Sequence, residues 1–235
     1  VNAIEPRSAI GEFDAKADKW TLYSCSQGVF GLKGMLRDVL GAPAEKVRVV
    51  TGNVGGSFGM KAAMYPEYVC ILHGARTLQR PVKWTDERSG SFMSDHHGRD
   101  YDMTVEVAFD GDGLIQAMRL TGYVNRCGYC SAFGPLLPTL NVTKNIVSMY
   151  RTPLIALATQ CIFTNTNHVS AYRGAGRPEG ALNMERTMDY AAARLGIDRF
   201  ELRRRNFIKA REMPFKTSSG MVYDCGDFPG LFKEA

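Results

Sequence analysis

The 235-residue chain lacks most of the features that would settle its class at a glance. No apolar run approaches the roughly 20 residues that a bilayer-spanning helix needs, so no candidate for a helical span exists. No leader pattern opens the chain: it starts Val1-Asn2-Ala3-Ile4-Glu5-Pro6-Arg7, without an initiator methionine. Leu231 to Ala235 run like a helix with no C-cap glycine, and both ends read as those of a piece of something longer. Charge of one sign is also scarce. The formal net charge of +5 is spread along the sequence, and the one basic run, Arg203-Arg204-Arg205, reads as a solvated helix face rather than a nucleic-acid surface. Six cysteines in this length do not make a small disulfide framework, so reduced thiols in a cytoplasmic protein are the expectation. Repeats and low-complexity segments are missing too.

What is present is a mixture of two periodicities. Thr21–Ser26, Val47–Thr51, Pro81–Trp84, Asp100–Phe109, Leu114–Val124 and Ile155–Phe163 read as strands, the last of them mostly buried. Asp110-Gly111-Asp112-Gly113 is a strong hairpin signal. Helices are expected over Gly28–Leu40, stopped by Gly41, over about Tyr65–Leu78, and from Pro178 to Leu195, stopped by Gly196. Met184, Met188, Ala191, Ala192 and Leu195 give that third helix an apolar face. Asp198 with Glu201 can cap a further helix carrying the three arginines. Strands and helices mix without strict alternation, which predicts an α+β fold of mixed sheets with packed helices.

Two glycine-rich loops stand out. In "VRVVTGNVGGSFGMK" a β-branched run ends in Gly52, Gly55, Gly56 and Gly59, leading towards a helix. A phosphate-binding loop needs Gly-Lys-Ser/Thr, but Met60 separates Gly59 from Lys61 and Ala62 follows. The dinucleotide fingerprint fails as well, because Gly55 and Gly56 are adjacent. What survives is a bend whose backbone N–H groups can hold an anion or a polar oxygen, or else a tight structural turn. Arg173-Gly174-Ala175-Gly176-Arg177 has the same character and runs into a helix N-terminus. Together the two loops point to a large, oxygen-rich or polyanionic ligand.

Other candidates have less behind them. Cys127-Gly128-Tyr129-Cys130 has the spacing of a redox or zinc pair, yet Gly134, Pro135 and Pro138 disfavour a helix beginning at the first cysteine, and no second pair completes a zinc site. Asp95-His96-His97 could supply metal ligands, but adjacent histidines in a loop point different ways, which favours a hydrogen-bonding or surface role.

"GGSFGMK" resembles the Gly-Gly-x-Phe-Gly-x-Lys loop of the molybdenum hydroxylases, the family of xanthine dehydrogenase, aldehyde oxidase and aerobic carbon monoxide dehydrogenase. "AYRGAGRPEG" is similar to their second cofactor loop and "SCSQGVF" to the segment carrying their molybdenum-side glutamine. "NAIEPRSAIGEFD" and "ELRRRNFI" also have counterparts there, in order. The resemblance implies that residues 1–235 are the first cofactor-binding portion of a larger molybdenum subunit. It implies a molybdopterin cofactor, in bacteria usually the cytosine dinucleotide form, with molybdenum held by pterin sulfurs and not by protein side chains. The implied cofactor-binding residues are Gln27, Gly28, Gly55, Gly56, Ser57, Phe58, Gly59, Ala171, Tyr172, Arg173 and Gly174. Gln27 would offer its amide NH₂ to an oxo group and Phe58 a backbone N–H, and glycine at both loops permits close backbone approach.

The family reaction is hydroxylation with water as the oxygen source, and a glutamate far along the subunit serves as base. That segment is not among these residues, which are therefore expected to be inactive alone. Departures narrow the substrate. Ala62 stands where xanthine dehydrogenases place a purine-gripping glutamate, and Ala175 where they place a stacking aromatic. Gly174 stands where carbon monoxide dehydrogenases place their copper-binding cysteine. The resemblance thus implies the carbon-monoxide-dehydrogenase-like form acting on an aldehyde or N-heteroaromatic. It also implies an iron–sulfur subunit, an FAD subunit and a dimer of such heterotrimers. The alternatives are carbon monoxide oxidation itself, or a nucleotide-binding or scaffold module without molybdenum.

Overall fold

Ser8–Asp14 (β1) buries Ala9 and Gly11 while its neighbours stay half-exposed, the signature of a strand covered on one face. The computed structural model describes residues 1–235, which divide into two units. The first comprises Val1–Arg99, Cys127–Phe133 and Asn165–Arg173. In it β1 pairs antiparallel with Lys19–Ser24 (β2) and with Val82–Thr85 (β4), and β2 pairs parallel with Val47–Val50 (β3). The sheet order is β3-β2-β1-β4. Helices Val29–Leu40 (α1) and Pro66–Leu78 (α2) cover it and contribute Leu32, Leu36, Tyr68, Ile71 and Leu72 to a core shared with Trp20, Leu22 and Val47. Gly41 ends α1 in the left-handed conformation, as its position in the sequence predicts.

The second unit comprises Asp100–Arg126, Gly134–Thr164 and Gly174–Ala235. Its three-stranded sheet is built on the expected hairpin, Tyr101–Phe109 with Ile115–Cys127, whose turn is held by Asp110 Oδ1 accepting from the N–H groups of Asp112 and Leu114. The long helix Arg177–Leu195 buries Met184, Met188, Ala191 and Ala192 and stops at a left-handed Gly196. Asp198 caps the next helix, Arg199–Asn206, by accepting from the N–H groups of Phe200 and Glu201. The fold is α+β, as the mixed periodicities indicate.

Two expectations need correction. Leu154–Phe163 is not mostly buried: it is an outer strand of its sheet, half-exposed on alternate positions and exposed over its last four residues. A largely apolar run, here interrupted by Thr159 and Gln160, is ambiguous between a central strand and an edge, and here it is an edge. The Arg203–Arg205 run is not uniformly a solvated face either. Arg203 is buried and bonds Glu185 and Asp189 on the long helix, while Arg204 and Arg205 pair with Glu201 in their own. No helix is long and apolar enough to cross a membrane.

Candidate cofactor site

The first glycine loop leaves β3 at Thr51 and re-enters regular structure in a 3₁₀ turn, Met60–Ala62, before α2. Four contacts fix its shape. Gln27, just ahead of α1, accepts two hydrogen bonds on its side-chain oxygen, from Ser57 Oγ at 2.5 Å and from the Gly59 N–H at 2.8 Å. Because the Gly59 N–H can only donate, this assigns Oε1 inward and leaves the Gln27 NH₂ as the outward-facing group. Glu5 Oε2 accepts from Lys61 Nζ at 2.6 Å and from the Gly55 N–H at 2.9 Å, closing the loop from the other side. The buried Lys61 ammonium holds the Glu5 carboxyl below the usual carboxylate range.

Within the loop, Phe58 adopts a left-handed backbone at φ +55, and its N–H is engaged by no other backbone group. A side chain with a β-carbon rarely takes that conformation unless its surroundings impose it, and such positions concentrate at functional sites. Gly59 lies at φ +103 and could not carry a Cβ, which would run into the Ala171 carbonyl. The approach of Ala171 to Gly59 brings the first loop and the start of the second together inside one unit. Tyr172 and Arg173 follow: the Arg99 guanidinium lies 4.4 Å over the Tyr172 ring and donates to the Arg173 carbonyl at 3.1 Å, and the Arg173 guanidinium stands 6.0 Å from the centroid of Phe58. Phe58, His97, Arg99, Tyr172 and Arg173 line a cavity of about 490 Å³.

Thus Gln27, Gly55, Ser57, Phe58, Gly59, Ala171, Tyr172 and Arg173 gather in the first unit. Gly28 is the N-cap of α1, and Gly56 (φ +95) shapes the bend. Ala62 closes the 3₁₀ turn and is half-buried. Gly174 and Ala175 belong to the second unit, where the Ala175 carbonyl accepts from Asn141 Nδ2 at 2.8 Å and Gly176 is the N-cap of the long helix. A Cβ on Gly176 would meet the Leu137 carbonyl, so this glycine is required for packing as well as for its φ of +98.

Several residues that hold the site do not stand out in the sequence. Arg7 is completely buried, donates from Nε to Asp95 at 2.7 Å and from NH1 to Glu67 at 3.1 Å, and stacks 3.7 Å from the Tyr65 ring centroid. A Glu-Pro-Arg triplet ahead of an alternating strand is the one local hint of it. Asp95, His96 and His97 do not converge on a common point: Asp95 binds Arg7, and His96 is buried and hydrogen-bonded, as its loop context favours. Cys127 is buried with its thiol 3.0 Å from the Tyr129 carbonyl, and Cys130 is exposed.

The first glycine bend is thus braced by a glutamine oxygen on one side and a glutamate on the other, and comparison with known proteins gives the class of domain. The chain belongs to the molybdopterin cofactor-binding domain family, whose model matches residues 1–207. It is 32% identical to the 6-hydroxypseudooxynicotine dehydrogenase complex subunit gamma of Paenarthrobacter nicotinovorans, over 99% of this chain and 30% of that one. It is 30% identical to the carbon monoxide dehydrogenase large chain of Hydrogenophaga pseudoflava, over 98% of this chain and 29% of that one. Among solved structures, quinoline 2-oxidoreductase from Pseudomonas putida 86 superposes with a TM-score of 0.92 at 27% identity, covering 99% of this chain and 30% of that one. The chain therefore spans less than a third of the length of these relatives.

Proposed function

We propose that residues 1–235 form the first part of the cofactor pocket of a molybdenum hydroxylase. Gln27, Gly28, Gly55–Gly59, Ala171–Arg173 and Gly174 face the cofactor, and Ala62 and Ala175 flank the substrate. The observation that carries this is Gln27: its oxygen is consumed by Ser57 and Gly59, so its NH₂ is fixed as a donor toward whatever the loop holds. The chemistry of the site fits a ligand rich in oxo and phosphate oxygens, since the groups it offers are the Gln27 NH₂, the Phe58 N–H and the Arg173 guanidinium. Bound there, a molybdenum–pterin group, as its cytosine dinucleotide, would take two electrons from the substrate while water supplies the oxygen.

The chain's own residues position and stabilise. Gln27 would hold a cofactor oxygen through its NH₂, a donor suited to an oxygen carrying negative charge, and the braced loop keeps that donor from turning away. Lys61 and Glu5 neutralise each other beneath the loop, so neither competes for the ligand. The base that moves the substrate's proton lies outside residues 1–235, as do the iron–sulfur and FAD subunits that carry electrons onward in a dimer of heterotrimers. Ala62 and Ala175, small where a purine oxidase has large groups, support an aldehyde or N-heteroaromatic substrate. Gly174 in place of a copper-binding cysteine counts against carbon monoxide. The match to a molybdopterin family counts against a plain nucleotide-binding or scaffold module.

The test is the molybdenum and released CMP content of the full-length gene product purified with its partners. About one of each per subunit is expected by the stoichiometry of one cofactor per pocket; neither, in a folded complex, would overturn the proposal. Gln27→Leu should keep its molybdenum and lose about 100-fold in kcat, the scale for removing one preorganised donor.

A further inference from the structure

His96 occupies a position that the cofactor reading leaves unused. It is 1% exposed, and its two ring nitrogens face opposite ways. Nε2 lies 2.9 Å from the Ala171 carbonyl, at the start of the second loop, and Nδ1 lies 3.3 Å from the Tyr65 hydroxyl. Tyr65 in turn donates to the Met60 carbonyl at 2.9 Å, the residue immediately after Gly59. One continuous path therefore runs from the first glycine loop through Tyr65 and His96 to the second. The Ala171 carbonyl is held between the imidazole and the bare Cα of Gly59, whose own N–H is bonded to Gln27.

We propose that Tyr65 and His96 are positioning residues: a strut that sets the spacing of the two cofactor loops and, through Ala171 and Gly59, the orientation of the Gln27 amide. That both loops are cofactor walls rests on the function proposed above; the strut itself is a statement about the chain alone. A carbonyl only accepts, so Nε2 carries the proton. Burial, opposed by the bond to Ala171, pushes the imidazole down to about 4 and keeps it neutral, with Nδ1 a lone pair beside the hydroxyl. The single Tyr65 proton then has two acceptors, Met60 at 2.9 Å and Nδ1 at 3.3 Å, and the shorter contact is the stronger. Arg7, stacked on Tyr65, and His168, whose ring centroid lies 5.7 Å from that of His96, pack against the pair.

The experiment compares wild type, His96→Ala, His96→Gln and Tyr65→Phe in the full-length enzyme with its partners. Three readouts are used: amide exchange over residues 57–64, the line shape of the Mo(V) electron resonance signal, and kcat against KM. Losing a hydrogen bond to the loop should speed exchange at Gly59–Lys61 about fivefold in His96→Ala. A shifted Mo(V) signal and a kcat lower by about tenfold at unchanged KM should accompany it, because small misplacement of a catalytic donor costs rate rather than binding. His96→Gln, whose amide N–H can still reach Ala171, should recover most of the exchange protection and signal. Wild-type behaviour in His96→Ala, or a His96→Gln as impaired as the alanine variant, would overturn the strut. Should His96→Ala not fold, Tyr65→Phe, which removes the hydroxyl without opening a cavity, carries the same comparison. If wild type contains no molybdenum, the proposed function falls, while the exchange data still decide the strut.

Discussion

At the scale of single residues, the burial of His96 has a consequence for acid stability. Its imidazole ionises near the ordinary value of about 6.5 in the unfolded chain and at about 4 in the fold. The unfolded state therefore binds this proton first. Stability from this group is fully present above about pH 6.5 and declines as the pH falls to about 4, by roughly 3 kcal/mol in all. His168, also pushed down by burial, acts in the same direction. Urea unfolding midpoints measured between pH 7 and 4 should fall less steeply in His96→Gln than in wild type; parallel slopes would remove His96 from the account. Such residues were hard to read in the sequence for a simple reason. Gln27 and Phe58 sit in motifs whose local chemistry marks them, whereas Glu5, Arg7 and His96 take their meaning from partners 31 to 88 positions away.

Elements were more legible than residues. Caps at Gly41, Gly196 and Asp198, and the Asp-Gly hairpin, are short-range devices, and each appears where its residues place it. The misses have the opposite character. Ser8–Asp14, the strand that two others flank, has only one large apolar residue on each face and a glycine at its centre, so its periodicity is faint. Strand Ile115–Cys127 turns Met118, Leu120 and Val124 inward, and the same row ends in Arg126, 2% exposed with no hydrogen bond to any guanidinium nitrogen. A buried, unbonded cation is costly. Arg126→Met is accordingly expected to stabilise the 235-residue chain by about 1–3 kcal/mol in denaturant unfolding; a loss of stability would show that the guanidinium is satisfied in solution.

For the whole molecule, the exposed edge strand dominates expected behaviour. Leu154 and Phe163 are 68% and 67% exposed on the outer strand of a three-stranded sheet, where unpaired backbone groups and apolar side chains coincide. The 235-residue chain alone should self-associate as its concentration rises, seen as a shift in light-scattering mass. Phe163→Lys should reduce that shift, since a charge on an edge blocks strand addition. An unchanged mass with or without the substitution would mean that the edge is inert.

The bracing of the first glycine loop also imposes an order of events on the living cell. Its partners are Glu5 and Gln27 on one side and Ala171, itself held by His96, on the other. A ribosome that has delivered the loop has delivered only half of what holds it, and the opposite wall arrives more than a hundred codons later. Under the function proposed above, a cofactor that needs both walls can be held only once translation has passed Arg173.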